Sequence, residues 1–309
     1  MTQPPPPRRR GTRGSPRALV QARLVAAALC AAHGWDADAI EIVPVKTTGD
    51  RVQDRPLAEI GGKALWTKEL DRALLCGDID FAVHSMKDVE TIRPHAIAIA
   101  AMLPRADVRD RLVGAASIDK LPMNARIGTS SPRRAAQLRH LRPDVSIVPF
   151  RGNVDTRLRK LAEGEADATL LAAAGLDRLL RGEVGHAIPI DVMLPAPAQG
   201  AVGIEARADD SATLVLLAAI DDLATHICVL AERSLLAALR ADCHSPVAAL
   251  ARIDGSMIDI SAELLSEDGA HKCADRMTVL SNRPDEAGAL ADRLLAQAPP
   301  ALARLFTGR

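Results

Sequence analysis

The chain has 309 residues, of which 48% are hydrophobic, so its length and composition suit two or three domains with substantial hydrophobic cores. Lys plus Arg and Asp plus Glu both number 39, and the resulting formal net charge of zero argues against a general nucleic-acid or acidic-membrane surface. Aromatic residues make up 2% with no Tyr, which also argues against stacking platforms for single-stranded nucleic acid.

The first predicted elements are a tail and a helix. Residues 1–9 are rich in Pro and Arg and are interpreted as a disordered tail. Ser15-Pro16 predicts a helix start, since Ser is a favoured N-cap and Pro a favoured first helical residue. The apolar residues 24–32 imitate a secretion signal, but Arg23 interrupts the run and no stretch is long enough to span a bilayer. We therefore expect a cytoplasmic protein without a membrane anchor.

Residues 47–66 are rich in glycine and charge and are predicted to form a mobile lid over a ligand cleft. Lys63 and Trp66 are the candidate functional residues of this lid. A merely flexible surface loop explains the same composition equally well.

The apolar run 81–85 predicts a buried strand that ends in Lys87 and Asp88. The carboxyl end of a strand is a natural position for a catalytic pair, although an ordinary loop ion pair fits the position alone equally well. His84 lies inside the apolar run and is more typical of a hydrogen-bonded core histidine than of a ligand.

The most informative pattern is a set of arginines where two helices should begin. Ser131 is a predicted N-cap, which places Arg133 and Arg134 in a first turn whose free N–H groups and dipole favour an anion. The end of the next strand delivers Arg151, and the helix after it carries Arg157. Because cations oppose the dipole at a helix start, we expect these side chains to face a cleft and to bind a negatively charged ligand.

An internal repeat indicates two lobes. Ser15-Pro16-Arg17, followed by Gln21 and Arg23, recurs at identical offsets as Ser131-Pro132-Arg133, followed by Gln137 and Arg139. Two similarly built α/β lobes are therefore predicted, with a hinge and a cleft between them. Lobe 1 would contain residues 10–103 and 199–221 and lobe 2 residues 104–198, with Pro-bearing crossings near 103–105 and 194–200.

Residues 222–309 are interpreted as a small third domain with a helix, three strands and a last helix from Pro284. The five cysteines of the chain are odd in number and widely spaced, so neither a disulfide framework nor a metal site is expected. Cys243 alone lies in a predicted loop, beside His244. A thiolate there could serve as a covalent attachment point or as a nucleophile.

Taken together, these motifs resemble the porphobilinogen deaminase family from about residue 10 to the C-terminus. The resemblance rests on Gly11-Thr12-Arg13-Gly14-Ser15-Pro16, Thr48-Gly49-Asp50, Gly61-Gly62-Lys63, Val83-His84-Ser85-Met86-Lys87-Asp88, Gly128-Thr129-Ser130-Ser131-Pro132-Arg133-Arg134, Arg151-Gly152-Asn153-Val154-Asp155-Thr156-Arg157, Ala174-Gly175-Leu176, Pro197-Ala198-Gln199-Gly200-Ala201 and the Cys243 loop.

The resemblance implies an α/β fold of two lobes of the periplasmic-binding-protein type II kind with a hinge. It adds a small C-terminal α+β domain with a three-stranded antiparallel sheet. It also implies hydroxymethylbilane synthase activity, in which a transferase joins four porphobilinogen molecules head to tail on a covalent dipyrromethane primer. Ammonia is released at each step, and the linear tetrapyrrole product serves porphyrin (haem) biosynthesis.

The resemblance also implies roles for individual residues. Cys243 matches the attachment site of the primer. Asp88 matches the catalytic aspartate, which would assist the loss of ammonia and stabilise a cationic azafulvene. Acid groups of primer and substrate would be bound by Arg13, Ser15, Lys87, Ser131, Arg133, Arg134, Arg151, Arg157, Arg178 and Gln199.

The expected partners are porphobilinogen and the growing oligopyrrole chain, with no nucleic acid, membrane or metal. The protein is expected to be a monomer that hands its product to uroporphyrinogen III synthase.

The chain departs from the family's pattern at three places. Ala64 replaces a glycine common in the Gly-Gly-Lys lid, Glu90 replaces the proline usual after Lys-Asp-Val, and Ala241-Asp242 stand where Gly-Gly commonly precedes the cysteine. Glycine permits positive-φ turns that Ala disfavours, so the path of the Cys243 loop is left open.

The leading alternative is a non-catalytic two-lobed anion-binding protein of the type II periplasmic-binding class, against which Lys87-Asp88 and Cys243 weigh. A weaker alternative makes Cys243 the nucleophile of an acyl transferase, but no base and oxyanion motif accompanies it.

Overall fold

The computed structural model describes residues 8–45 and 67–307 of the chain. The predicted lid, with Lys63 and Trp66, lies outside the described residues. The first strand begins at Arg8, inside the segment predicted to be a tail, because these residues pair in parallel with the second strand.

Unit 1 comprises Met1–Arg105 with Ala201–His226 and contains a five-stranded mixed sheet. With strands and helices numbered along the whole chain, its elements are β1 (Arg8–Arg13), α1 (Pro16–His33), β2 (Ile40–Val45), α2 (Lys68–Leu75), β3 (Phe81–Ser85), β4 (Ile97–Met102), β10 (Val202–Arg207) and α6 (Ser211–Ala218). The strand order is β2-β1-β3-β10-β4. Strand β1 is parallel to β2 and β3, whereas β10 is antiparallel to both of its neighbours.

Helix α1 starts and ends where the sequence directs. Ser15 Oγ accepts a hydrogen bond from the Ala18 N–H at 3.4 Å and Pro16 is the first helical residue, which confirms the predicted cap. The helix ends at Gly34, whose φ of 65° is left-handed. The buried face of α1 packs on the sheet in one hydrophobic cluster.

Unit 2 comprises Ala106–Gly200 with Ile227–Arg309 and begins with a second five-stranded sheet. The elements of this lobe are β5 (Asp110–Val113), β6 (Arg126–Gly128), α3 (Pro132–Leu141), β7 (Ser146–Val148), α4 (Val154–Ala162), β8 (Ala168–Ala172), α5 (Ala173–Arg178) and β9 (His186–Ala187). The order is β7-β6-β8-β5-β9, with β6 parallel to β7 and β8 and with β5 antiparallel to both neighbours.

The two sheets share one design. In each, the antiparallel strand in fourth position, β10 or β5, is the first strand after the chain passes from the other unit. This common order confirms the predicted pair of type II lobes.

The C-terminal part of unit 2 contains the predicted three-stranded antiparallel sheet, in the order β11-β12-β13. Its elements are α7 (Leu223–Ala238), of which residues 223–226 belong to unit 1, β11 (Val247–Asp254), β12 (Met257–Leu265), β13 (Lys272–Leu280), α8 (Ala289–Gln297) and α9 (Pro300–Thr307). The last helix, predicted from Pro284, is instead a 3₁₀ turn followed by α8 and α9.

The C-terminal part contacts lobe 2 within unit 2. The His140 Nδ1 lies 3.0 Å from the Gly269 carbonyl, and Ala249 N–H donates to the Pro195 carbonyl at 3.1 Å. Gly269 has a φ of 75°, and a Cβ there would lie 2.6 Å from the backbone nitrogen of His140, so only glycine permits this approach.

Among the described residues, no single helix is long and apolar enough to cross a membrane. Helices α6 and α7 reach that length and composition only together, and they are bent by 115° relative to each other.

Candidate functional site

In unit 1, the candidate residues lie at the carboxyl edge of the sheet. Parallel strands β1 and β3 end at Arg13 and Ser85, and Ser15 caps the helix that follows β1. Lys87 and Asp88 lie in a single 3₁₀ turn directly after β3. Arg13, Ser15, Lys87 and Asp88 therefore share one edge, as strand polarity predicts.

The turn that carries Asp88 is anchored by the residue at its start. Met86 is 1% exposed, and its N–H donates to the Ala201 carbonyl at 3.2 Å. Gly203 lies under the Met86 side chain, and a Cβ at that position would overlap the Met86 sulfur. This hydrogen bond and this close packing consequently fix the turn against the start of β10.

Asp88 makes an ion pair that the sequence analysis did not identify. Its Oδ2 accepts a hydrogen bond from Arg17 Nη2 at 3.0 Å, and both side chains are about one-third exposed. The internal repeat was the available signal, since it aligns Arg17 with Arg133. One turn further along α1, Gln21 Nε2 donates to Ser85 Oγ at 2.9 Å.

A buried charge cluster lies behind the same turn. Arg93 donates to Glu90 at 2.6 Å, to Asp71 at 2.5 Å and to Glu205 at 2.8 Å. His84 Nε2 lies 3.2 Å from Glu205 Oε2, so this histidine is a paired core residue, as expected. Burial would raise the pKa of Glu205, but His84 and Arg93 outweigh it and lower that pKa to about 2.

This cluster explains the departure at Glu90. Its carboxylate accepts from Arg93 and also from the Thr67 hydroxyl at 2.7 Å, at the start of α2. A proline at this position could make neither contact.

In unit 2, Arg133 and Arg134 form a buried cluster with Asp110. Both lie in the first turn of α3 as predicted, their side chains are 4% and 6% exposed, and both pair with Asp110. The nitrogen–oxygen distances are 2.8 Å for Arg133 and 2.7 Å for Arg134. Burial alone would raise the pKa of Asp110, but the two guanidinium groups hold it well below its usual range.

Gln199 is also buried, at 0% exposure. Its Nε2 donates to Asp110 Oδ1 at 2.9 Å and to the Val108 carbonyl at 2.7 Å. It therefore fixes the second crossing to the start of β5. A contact between Gln199 and the substrate stays a prediction.

The other candidate arginines of lobe 2, Arg151, Arg157 and Arg178, are half-buried. Arg151 follows β7, and Arg157 Nε donates to the Gly152 carbonyl at 3.0 Å in the first turn of α4. Arg178 ends α5 and donates to the Gly200 carbonyl at 2.7 Å. Ser131 caps α3, where its Oγ accepts from the Arg134 N–H at 3.5 Å.

Cys243 is exposed in the turn between α7 and β11. Asp242 Oδ1 accepts from the His244 N–H at 2.9 Å, and the Asp242 N–H donates to Ser245 Oγ at 3.1 Å. These bonds close a tight turn around the cysteine, so its thiol is presented by a fixed piece of backbone.

The path of this loop accommodates the departure from Gly-Gly. The positive φ is at Arg240, at 51°, and neither Ala241 nor Asp242 has one. Ala241 is 4% exposed and packs in the C-terminal hydrophobic cluster. Its methyl group thus has a place in the core, and the Asp242 carboxylate supplies the turn.

Exposure alone does not distinguish Cys243 among the cysteines. Cys228 and Cys273 are buried, but Cys76 is exposed at the end of α2. No disulfide joins any of the five cysteines, all of which lie in the described part of the chain. Within residues 8–45 and 67–307, no group of three or more His, Cys, Asp or Glu side chains is arranged to hold a metal ion.

The buried pairing of Asp110 leads to a stability prediction. Asp110→Asn leaves two buried guanidinium groups without a countercharge and should lower the free energy of unfolding by about 3–5 kcal/mol. Asp107→Asn is the control, because Asp107 pairs with the 43%-exposed Arg109 at 2.7 Å and should cost under about 1 kcal/mol. Urea unfolding midpoints test this, and equal midpoints for the two variants would contradict it.

Comparison with known proteins identifies the family models that match this chain. The family model described as "Porphobilinogen deaminase, dipyromethane cofactor binding domain" matches residues 9–215, and the one described as "Porphobilinogen deaminase, C-terminal domain" matches residues 226–297.

Two similar relatives are both named Porphobilinogen deaminase. The one from Sphingopyxis alaskensis is 58% identical over 313 residues, covering 99% of this chain and 98% of the relative. The one from Paracoccus denitrificans is 50% identical over 306 residues, covering 97% and 98%. Among solved structures, a Silicibacter pomeroyi periplasmic His/Glu/Gln/Arg/opine family-binding protein in complex with lysine is 17% identical, with a TM-score of 0.37 over 69% of this chain and 88% of that one.

Proposed function

The chain belongs to the porphobilinogen deaminase family, and from this membership we propose how its own residues carry out the reaction. The chain is a transferase, a hydroxymethylbilane synthase of porphyrin biosynthesis that works with a dipyrromethane cofactor. The observation that carries this function is the match of the two family domains across 9–215 and 226–297. A non-catalytic anion-binding protein is not favoured.

We propose that Cys243 holds the dipyrromethane through a thioether. Its exposure and the turn built by Asp242 and Ser245 support this, because the sulfur is accessible and the backbone around it is fixed. When bound, this group supplies the pyrrole carbon from which the oligopyrrole chain grows.

The donor set of the chain fits an acid-bearing group. Each pyrrole carries two carboxylates, and the half-buried Arg13, Arg151, Arg157 and Arg178 together with Lys87, Ser15 and Ser131 are proposed to bind them. Arg133 and Arg134 each keep a buried Nε without a hydrogen-bond partner among the described residues. An unpaired buried donor costs about 1–3 kcal/mol, which a bound carboxylate would recover, so we retain both in the proposed set. Lys63 and Trp66 of the lid are proposed from the family resemblance alone.

Asp88 is proposed as the catalytic residue. Its carboxylate lies in a fixed turn at the sheet edge, where it can accept from the pyrrole N–H groups and the departing amine. Its negative charge stabilises the positive charge that develops on the substrate as ammonia leaves.

We further propose that the protein is a cytoplasmic monomer, and that it passes its product to uroporphyrinogen III synthase. Five cysteines without a disulfide support a reducing compartment. A porphyrin is a ring, so the two ends of the linear tetrapyrrole must be joined before it forms, which supports a direct transfer. Light scattering of the purified protein tests the monomer.

The arginine set is tested by Arg151→Leu and Arg157→Leu. Losing a charge-assisted carboxylate contact costs about 1.5–3 kcal/mol of binding, so both variants should accumulate complexes with one, two or three substrate units. Native mass spectrometry with porphobilinogen measures that distribution. Arg159→Leu, on the same helix as Arg157, is the control, since Arg159 is 61% exposed and pairs with Glu163 at 2.9 Å. A wild-type distribution with a lowered unfolding midpoint would show that the two arginines are structural.

A further inference from the structure

Two side chains one helical turn apart on α1 hold the segment that carries Asp88. Arg17 Nη2 donates to Asp88 Oδ2 at 3.0 Å, and Gln21 Nε2 donates to Ser85 Oγ at 2.9 Å. We propose that Arg17 is a positioning residue that orients the Asp88 carboxylate toward the substrate. The proposal rests on the catalytic role proposed for Asp88.

The Asp88 carboxylate needs such a partner because of its own freedom of rotation. The backbone of the turn is fixed at Met86, whose side chain is 1% exposed, and at Ser85 through Gln21, which is 2% exposed. The last torsion of an aspartate, in contrast, is broad and two-fold rather than confined to staggered wells. A guanidinium at 3.0 Å from one oxygen restricts that torsion and keeps a permanent positive charge beside the carboxylate.

The second copy of the repeat also sets its arginine against an aspartate, although Asp110 begins β5 whereas Asp88 follows β3. Arg133 and Gln137 stand four residues apart on α3, as Arg17 and Gln21 do on α1. Arg133 lies 2.8 Å from Asp110, and Gln137 Nε2 donates to the Leu194 carbonyl at 3.0 Å.

The two copies differ in exposure. The Arg133 and Asp110 side chains are 4% and 1% exposed, whereas those of Arg17 and Asp88 are 32% and 33% exposed. The repeat thus places an arginine against an aspartate in both units, and in unit 1 it leaves the pair accessible to solvent and ligand.

The partial exposure of the Arg17 pair separates a positioning role from a structural one. An exposed ion pair contributes little to stability, so replacing Arg17 should hardly change the unfolding midpoint. A misoriented carboxylate stabilises developing charge less well, so the chemical step should slow.

The test measures ammonia release and unfolding for Arg17→Met, Arg17→Gln and Arg17→Lys. We expect Arg17→Met and Arg17→Gln to lower kcat about tenfold with KM changed less than about twofold, and Arg17→Lys to regain most of the loss. Arg23→Met, at an exposed position on the same helix, should match wild type. In an Asp88→Asn background, Arg17→Met should have no further effect.

Three outcomes would overturn the proposal: wild-type kcat in Arg17→Met, a raised KM with unchanged kcat, or no recovery in Arg17→Lys. The second would mean that Arg17 binds the substrate directly. Failure of the assigned catalytic role of Asp88 is distinguishable, because Asp88→Asn alone would then keep its turnover.

Discussion

Asp88→Asn should lose nearly all turnover while the protein stays folded. The asparagine keeps the shape of the side chain but removes the negative charge that stabilises the developing positive charge on the substrate. One such electrostatic contact is worth about 10²–10³ in kcat. The ion pair with Arg17 is one-third exposed, so its loss should change the free energy of unfolding by less than about 1 kcal/mol. Ammonia release at saturating porphobilinogen and circular dichroism measure the two effects.

The control is Asp78→Asn. Asp78 is exposed near the amino end of β3, so this substitution removes the same charge close to the opposite end of the strand. It should leave turnover unchanged. Near-normal ammonia release by a folded Asp88→Asn variant would show that another group stabilises the charge.

Local signals were sufficient for much of the fold. The run 81–85 matches β3 residue for residue, and Ser15 and Ser131 cap the helices they were predicted to cap. Three strands were predicted in the C-terminal part, and they are separated by turns at Gly255 and Gly269, whose φ values are 58° and 75°. These features depend on residues close together in the chain, where periodicity and capping preferences act.

Local sequence patterns did not predict contacts between residues that lie far apart in the chain. Asp110 meets Arg134 across 24 residues and Gln199 across 89, and no local pattern indicated either contact. The arginines were correctly placed in a first helical turn, but the conflict with the dipole is relieved in the structure by a buried carboxylate. The same limit applied to Arg17, whose partner lies 71 residues away.

The candidate residues and the packing of the C-terminal sheet were therefore predictable to different degrees. Asp88 and Cys243 each follow from their place beside a regular element, and the structure puts both at exposed or partly exposed positions. The packing of the C-terminal sheet on lobe 2 was not predictable, because it depends on Gly269 approaching His140 across 129 residues.

Cys243 should carry an adduct of two pyrrole units in the purified protein. The intact mass should exceed that of the polypeptide by this group, and peptide mapping should place it on Cys243. Cys243→Ser should show no adduct and no turnover, because a hydroxyl is a far weaker nucleophile than a thiolate and a thioether requires sulfur. The fold should persist, since the side chain is exposed.

Cys76→Ser is the matched control for this experiment, because Cys76 is the other exposed cysteine. It lies at the end of a helix and outside a turn of the kind that Asp242 and Ser245 build around Cys243. If exposure alone selected the attachment site, Cys76 would also be modified in the wild-type protein. If the turn defines the site, the Cys76→Ser protein should carry a full adduct on Cys243. An adduct on Cys76, or an active protein whose mass is that of the bare polypeptide, would refute the assignment.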